Sequence, residues 1–326
     1  VIDTGEVSAF RDLHTRLGDA VEAAVRGKRD VVDLVLVAMF AGGHVLLEDV
    51  PGTGKTTLAR AVAGALGGIS RRVQFTPDLL PSDVTGTSVY DPQTGQIRFR
   101  PGPVFANIVL ADEINRAAAK TQSALLEVME ERTVTIDGVG HAVPDPFLVV
   151  ATQNPIDLDG TYRLPEAQLD RFMIRTSIGY PSAEDELDVL RPGSGAGKIA
   201  DVRTVTSPRE VSSFGERLAQ LHVADPILHY ISALGTGTRT DDRLRLGTST
   251  RGLRTLVRCA QVYAASKGRH FVVPQDVQDI ADPVLAHRLV LTRESVLAGV
   301  TTSEVLADVL SRVPVPKPAA PSSTAP

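Results

Sequence analysis

The stretch His44 to Arg60, HVLLEDVPGTGKTTLAR, leaves this chain few ways to fold. Val45, Leu46 and Leu47 form a short apolar run, the pattern of a strand buried on both faces. Pro51-Gly52-Thr53-Gly54 cannot continue that strand. Lys55, Thr56 and Thr57 then lead into the helix-like run LARAVAGAL. Strand, Gly-rich turn, Lys-Thr and helix together make a phosphate cradle. Backbone N–H groups of the turn and the helix N-terminus face the phosphates, Lys55 reaches the β/γ-phosphates, and the Thr56 hydroxyl is placed to ligate Mg²⁺. Pro51, Gly52, Thr53, Gly54, Lys55, Thr56 and Thr57 are therefore the candidate nucleotide-binding residues. The strict pattern G-x-x-x-x-G-K-[ST] has a glycine where this chain has Asp49. A plain Gly-rich turn before an ordinary helix thus stays open until a second phosphate-handling element is found downstream.

That element is Asn107 to Arg116, NIVLADEINR. Ile108 to Ala111 read as a buried strand ending in Asp112-Glu113, two adjacent acids that are costly there unless used. Beside a phosphate cradle the first acid holds Mg²⁺ and the second polarises the attacking water. Phe147 to Ala151 is a further apolar strand, followed by Thr152-Gln153-Asn154-Pro155. Ligands bind outside the carboxyl ends of neighbouring parallel strands, so Asn154 is expected to orient the water against the γ-phosphate. RRVQF, residues 71–75, and Met173 to Ile178 supply two more strands, and Leu164 to Phe172 a short helix that includes Asp170-Arg171. Five alternating strand–helix units predict an α/β fold with a parallel five-stranded sheet flanked by helices.

Other segments decorate that core. Phe10, Leu13, Leu17, Val21 and Val25 recur at helical spacing, and a second helix is expected from Asp30 to Ala41. The turn Arg26-Gly27-Lys28 between them lies one helix upstream of the cradle, which makes Gly27 a candidate wall for an adenine; a plain turn is the alternative. Val84 to Tyr90 and Gln96 to Arg100 flank a turn-rich stretch and predict a hairpin. Thr133 to Ile136 and Ala142-Val143, around Asp137-Gly138, predict another, after a helix over 120–131.

Residues 1–190 are thus expected to be the nucleotide-binding α/β domain, 191–206 a flexible linker, 207–312 an all-α lid and 313–326 a disordered Pro/Ala-rich tail. Gly193-Ser194-Gly195-Ala196-Gly197-Lys198 in the linker imitates a phosphate loop, but no apolar strand precedes it and Ile199 stands where a hydroxyl should. In the lid, helical patterns run from Pro208, over 226–234, over 250–266 and over 274–289. Arg251 opens the third of these after Ser249-Thr250, a cap, and gains nothing from the helix dipole there. It is read as a charge brought to the nucleotide, with a solvated arginine as the alternative.

Bulk properties exclude several classes. The net charge of −5, the lack of Trp and the lack of a basic run disfavour a nucleic-acid-binding role. One cysteine, Cys259, permits no internal disulfide and fits a reducing cytoplasm; its apolar neighbours mark it as a core residue. The most apolar window, Val31 to Leu47, is interrupted well short of the ~20 residues of a membrane span, and no secretory signal is expected at the N-terminus.

Taken in order, these elements resemble the AAA+ ATPases, and more closely the MoxR family in the branch with a hairpin inserted in the second helix. The resemblance is carried by LLEDVPGTGKTTLARAVA, VQFTPDLLPSDVTGTSVYD, ADEINRAAAKTQSALLEVMEE and ATQNPIDLDGTYRLPEAQLDRF. The family tolerates a non-Gly residue at the position of Asp49. Ala118 stands where many members have Pro, and Arg163 replaces a commonly non-basic residue. The resemblance implies a ring, expected to be a hexamer, with ATP between subunits. It makes Lys55 and Thr56 Walker A, Asp112 and Glu113 Walker B, Asn154 sensor 1, Arg171 the arginine finger and Arg251 sensor 2. It further implies ATP and Mg²⁺ as cofactors, hairpins facing a pore or client, and chaperone-like remodelling, often with a partner carrying a von Willebrand A domain. A motor subunit of a metal chelatase, a nucleic-acid motor and a non-enzymatic nucleotide switch are the alternatives.

Overall fold

The computed structural model describes residues 2–50, 52–154, 164–180 and 202–316, together with 183, 184 and 187. The Gly193–Lys198 imitation, Pro51, Arg163 and the tail beyond residue 316 lie outside these. The strands, in chain order, are β1 (Val45–Glu48), β2 (Ser70–Gln74), β3 (Gly86–Asp91), β4 (Gln96–Pro101), β5 (Ile108–Asp112), β6 (Thr133–Ile136), β7 (Val139–Ala142), β8 (Leu148–Gln153) and β9 (Ile174–Thr176). Five of them form the predicted parallel sheet, in the order β2-β5-β8-β1-β9. That order sets the ends of β5, β8 and β1 side by side at one edge.

The central strands β5, β8 and β1 are buried on both faces, and their side chains alternate between two cores as the pleat requires. Val45, Leu47, Ile108, Leu110, Leu148 and Val150 point to one side, where α1 (Thr4–Glu22), α2 (Arg29–Ala41) and α3 (Lys55–Leu66) cover them. Leu46, Val109, Ala111, Val149 and Ala151 point to the other, against Leu125, Leu126 and Met129 of the helix over Ala119–Glu131. His44 fastens β8 to that helix. Its Nδ1 accepts from the Val149 N–H at 3.0 Å, and its Nε2 lies 3.1 Å from the Met129 carbonyl, which fixes the neutral tautomer. Burial, reinforced by the Arg132 charge, pushes its pKa down to about 3.

Helices α4 (Pro81–Thr85), α5 (Ala119–Glu131) and α6 (Glu166–Leu169) complete this part. α6 is shorter than the helix expected over 164–172. Pro165 caps it in extended backbone, and beyond Asp170 the chain turns so that the Met173 N–H can donate to the His44 carbonyl at 2.8 Å and enter the sheet. Both expected hairpins form, as β3–β4 and β6–β7. They are tied together by Ser88 Oγ, which donates to Asp137 at 2.5 Å, and by Phe99 stacked on His141 with centroids 4.1 Å apart.

The C-terminal part carries α7 (Pro208–Leu218), α8 (Asp225–Arg239), α9 (Thr250–Ser266), α10 (Pro274–Leu285), α11 (Arg293–Leu297) and α12 (Thr302–Arg312). A short antiparallel pair, β10 (Leu244–Leu246) and β11 (Val290–Leu291), which the sequence patterns do not announce, joins α8 to the end of α10. This part shares its core with the N-terminal helices. Phe10 meets Phe40 edge-on at 4.9 Å and Phe214 at 5.7 Å. Burying each such ring contributes roughly 1.5–3 kcal/mol. Within the segment expected to be a flexible linker, the Val205 N–H donates to the Ala65 carbonyl at 2.8 Å, so residues 202–206 lie along α3. Cys259 is buried in this core, and burial raises its thiol pKa to about 12, as a structural cysteine requires.

Candidate nucleotide-binding site

The phosphate cradle stands between β1 and α3. Gly52 and Gly54 hold φ of +88° and +90°, and a Cβ on either would meet nothing within 4 Å. Glycine is needed there for its backbone conformation, not for space. Gly54 caps α3 in the left-handed conformation, and no acidic residue stands in the first turn of α3. The positive end of that helix is thus left for an anion. Lys55 Nζ donates to the carbonyls of Val50 at 2.6 Å and Asp49 at 3.2 Å, which keeps its charge folded over the loop.

The second element meets the first as the sheet order demands. A cavity of about 390 Å³ is lined by Gly52, Gly54, Lys55, Thr56, Asp112, Glu113 and Asn154, among others. Asp112 closes β5. One of its oxygens accepts from Thr152 Oγ1 at 2.6 Å; the other accepts from Arg72 Nη2 at 2.7 Å. The same Thr152 oxygen accepts the Glu113 N–H at 2.9 Å, so a single hydroxyl on β8 holds both acids in place. Glu113 adopts φ of +56°, which swings its carboxylate away from the strand line. There it accepts from Gln74 Nε2 at 2.9 Å and pairs with Arg116 Nε at 3.1 Å.

Thr152 as a fastener, and Arg72 and Gln74 as partners of the acids, are additions to the expected set. Alternation along RRVQF was the available signal, since it puts Arg72 and Gln74 on one face of β2 beside β5. A larger cleft of about 700 Å³ lies between α2, β9 and α10, but Asp30, Asp33, Glu48, Asp279 and Asp282 outnumber Arg175 and Lys267 in its lining, a poor balance for a phosphate.

Asp49 has a definite task. Buried at the end of β1, its carboxylate accepts the Ile178 N–H and, at 3.1 Å, the Gly179 N–H. The next carbonyl, that of Tyr180, accepts from Lys28 Nζ at 2.7 Å. The turn at Gly27, with φ of +68°, is thereby fastened to the same segment that Asp49 fastens to the cradle. Gly27 itself does not line the 390 Å³ cavity. Asp49→Ala leaves two N–H groups unpaired and is expected to cost roughly 1–3 kcal/mol of stability. Thermal unfolding would read this as a lowered Tm, and titration with fluorescent ADP as several-fold weaker binding; an unchanged Tm would show that the clamp is idle.

The two expected arginines stand elsewhere. Arg171 Nη1 donates to the Leu126 carbonyl at 2.8 Å and pairs with Glu130 at 2.9 Å. Arg251, on α9, pairs with the other oxygen of Glu130 at 3.2 Å. Within one chain, then, Arg251 is not brought to the cavity: the lid packs on α1 and α2, and α9 opens toward the end of α5 instead. Arg288 is the buried lid residue that patterns missed. It donates to the Asp170 carboxylate and to the Phe172 carbonyl, each at 2.8 Å, and so ties the lid to the turn before β9.

Comparison with known proteins agrees with this geometry. Residues 44–174 match the family described as "ATPase family associated with various cellular activities (AAA)", and residues 236–309 match the AAA lid domain. The chain is 47% identical to the Bacillus subtilis protein YeaC, over 94% of this chain and 96% of that one. It is 39% identical to a Mycobacterium tuberculosis protein named Chaperone MoxR1, over 91% of this chain and 81% of that one. A crystal structure of a Cytophaga hutchinsonii protein superposes with a TM-score of 0.89 at 36% identity, covering 96% of this chain and 98% of that one. On these family matches and identities, the chain belongs to the AAA ATPases and, within them, to the MoxR family.

Proposed function

We propose that this ATPase couples Mg²⁺-dependent ATP hydrolysis, in a ring of copies of itself, to the remodelling or activation of client proteins.

 The ring is built of copies of this chain, six on this reading, with each cradle facing a neighbour. The observation that carries the proposal is the convergence of Lys55, Thr56, Asp112, Glu113 and Asn154 on one cavity. The donors suit the groups they would hold. The Thr56 hydroxyl and the Asp112 carboxylate are hard oxygen ligands of the kind Mg²⁺ takes, and the open, positive start of α3 suits a triphosphate. Held by Thr56 and Asp112, Mg²⁺ would supply positive charge to neutralise the phosphates.

The chain's own residues do the rest. Lys55 leaves its carbonyl partners to bind the phosphates, and Asn154 orients the attacking water. Glu113 takes a proton from that water as its oxygen bonds to the γ-phosphorus; the bond to the β–γ bridging oxygen breaks, and ADP and phosphate leave. Arg171 and Arg251, held away from their own cavity, serve the γ-phosphate of the neighbouring subunit. The turn at Gly27 is a wall for the base, supported by its link through Lys28 to the segment that Asp49 fastens. The paired hairpins, with Tyr90 and Ile97 opposite each other and exposed, are the candidate client contacts. The relative named a chaperone supports the remodelling step. No described helix is long and apolar enough to cross a membrane.

Lys55→Ala tests the first step. Loss of its charge-assisted contacts is expected to weaken nucleotide binding by about 100-fold, and calorimetric titration with ATP and Mg²⁺ would measure it. Binding at the parent affinity would remove Lys55 from the site.

A further inference from the structure

Two guanidinium groups from distant parts of the chain meet at one carboxylate. Arg171 stands between α6 and β9, and Arg251 is the second residue of α9. Glu130, in the last turn of α5, gives one oxygen to each: Oε2 lies 2.9 Å from Arg171 Nη1, and Oε1 lies 3.2 Å from Arg251 Nη1. The surroundings fix this geometry from both sides. Arg171 also donates to the Leu126 carbonyl at 2.8 Å, one turn before Glu130 on the same helix. Asp170, next to Arg171, lies 4.0 Å from Arg251 Nε and accepts from the buried Arg288 at 2.8 Å.

Stability alone does not account for the cluster. The side chains of Glu130, Arg171 and Arg251 are 38%, 31% and 49% exposed. Pairs so open to water contribute only about 0–1 kcal/mol each. Two guanidinium groups brought together without a carboxylate between them would repel. The cluster also borders an open cleft of about 680 Å³, lined by Glu127, Thr133, Thr135 and Gln168 as well as by Glu130 and Arg171. Of the two guanidinium groups Arg171 lines that cleft, beside Glu127, Glu130 and Glu131, and Arg251 is joined to it through the other oxygen of Glu130.

We propose that Glu130 is a positioning residue for ATP hydrolysis: it holds Arg171 and Arg251 as one unit that meets the γ-phosphate of the neighbouring subunit. This rests on the reading of Arg171 as an intersubunit arginine. Glu130 does not line the cavity of its own chain, so its effect falls on kcat and not on nucleotide affinity.

The test uses Glu130→Gln in the full chain. Affinity for fluorescent ADP is expected to stay within about twofold, while kcat falls by about tenfold to a hundredfold, the cost of misplacing a group that acts only in the transition state. Mixed with Lys55→Ala, the variant is expected to regain activity, because its intact cradles are then served by neighbours with an intact Glu130. The pair Arg171→Ala with Lys55→Ala runs beside it, in assemblies shown by mass photometry to hold both variants. If the Arg171 pair regains activity and the Glu130 pair does not, or if Glu130→Gln hydrolyses ATP at the parent rate, the inference fails and the intersubunit arginine stands. If neither pair regains activity, the intersubunit reading fails and this inference with it. Should Glu130→Gln lower Tm by more than about 5 °C, Glu130→Asp, which keeps the charge but draws it back from both arginines, carries the same two arms.

Discussion

Arg171→Ala is expected to lower kcat for ATP hydrolysis by about 10³-fold or more while leaving nucleotide affinity unchanged. The split follows from where the residue stands. Arg171 shares no lining with the cavity that holds Lys55 and Asp112, so a bound nucleotide in its own subunit loses no contact. Its guanidinium is instead held at the end of α5, against Glu130 and the Leu126 carbonyl. In the proposed ring, a cation placed there acts on a phosphate that another subunit presents, as charge develops on the transferring group. Steady-state phosphate release and a fluorescent-ADP titration, both at concentrations where the parent protein is assembled, separate the two quantities. Parent-level hydrolysis by the variant in such assemblies would strip Arg171 of the role. Arg171→Lys should recover little, since an ammonium keeps the charge but lacks the planar fork.

Much of this arrangement is legible in the sequence because it is local. The cradle needs an apolar strand, two glycines able to hold positive φ and a Lys-Thr at a helix start, and these are contiguous. Asp112-Glu113 and Asn154 announce themselves as polar groups at the ends of apolar strands, where a parallel sheet puts its ligands. The side chains that hold those groups in place are another matter. Thr152 meets Asp112, and Gln74 meets Glu113, only because β8 and β2 flank β5, a pairing that periodicity does not specify. The partners of Asp49, at Ile178 and Gly179, depend in the same way on β9 lying beside β1. Helix α12 was within reach: Thr301 and Glu304 form a capping box, with Val305, Leu306 and Val309 on one buried face. The pair β10–β11 was not, because strands of three and two residues carry no pattern of their own.

Glu113→Gln is expected to bind ATP as the parent does and to hydrolyse it about 10²- to 10³-fold more slowly, the share that a positioned general base supplies. Gln is the same shape as Glu, and the features that aim the side chain do not depend on its charge. The backbone at residue 113 keeps φ of +56° with its N–H on Thr152, and Gln74 still has an oxygen to donate to. Arg116, now paired with the carboxylate at 3.1 Å, loses the charge but not the neighbour. Beside that ion pair, the substitution removes the capacity to accept a proton from water. The nucleotide recovered from the variant should therefore be ATP where the parent yields ADP, as chromatography of the denatured protein would show, and ATP-filled assemblies should accumulate. Hydrolysis at the parent rate would take water activation away from Glu113. Trapping without turnover also separates the chemical step from the mechanical one. If client engagement requires ATP to be held and release requires it to be cut, the Glu113→Gln assembly should retain a client that the parent releases, and it should let that client go when ADP replaces ATP.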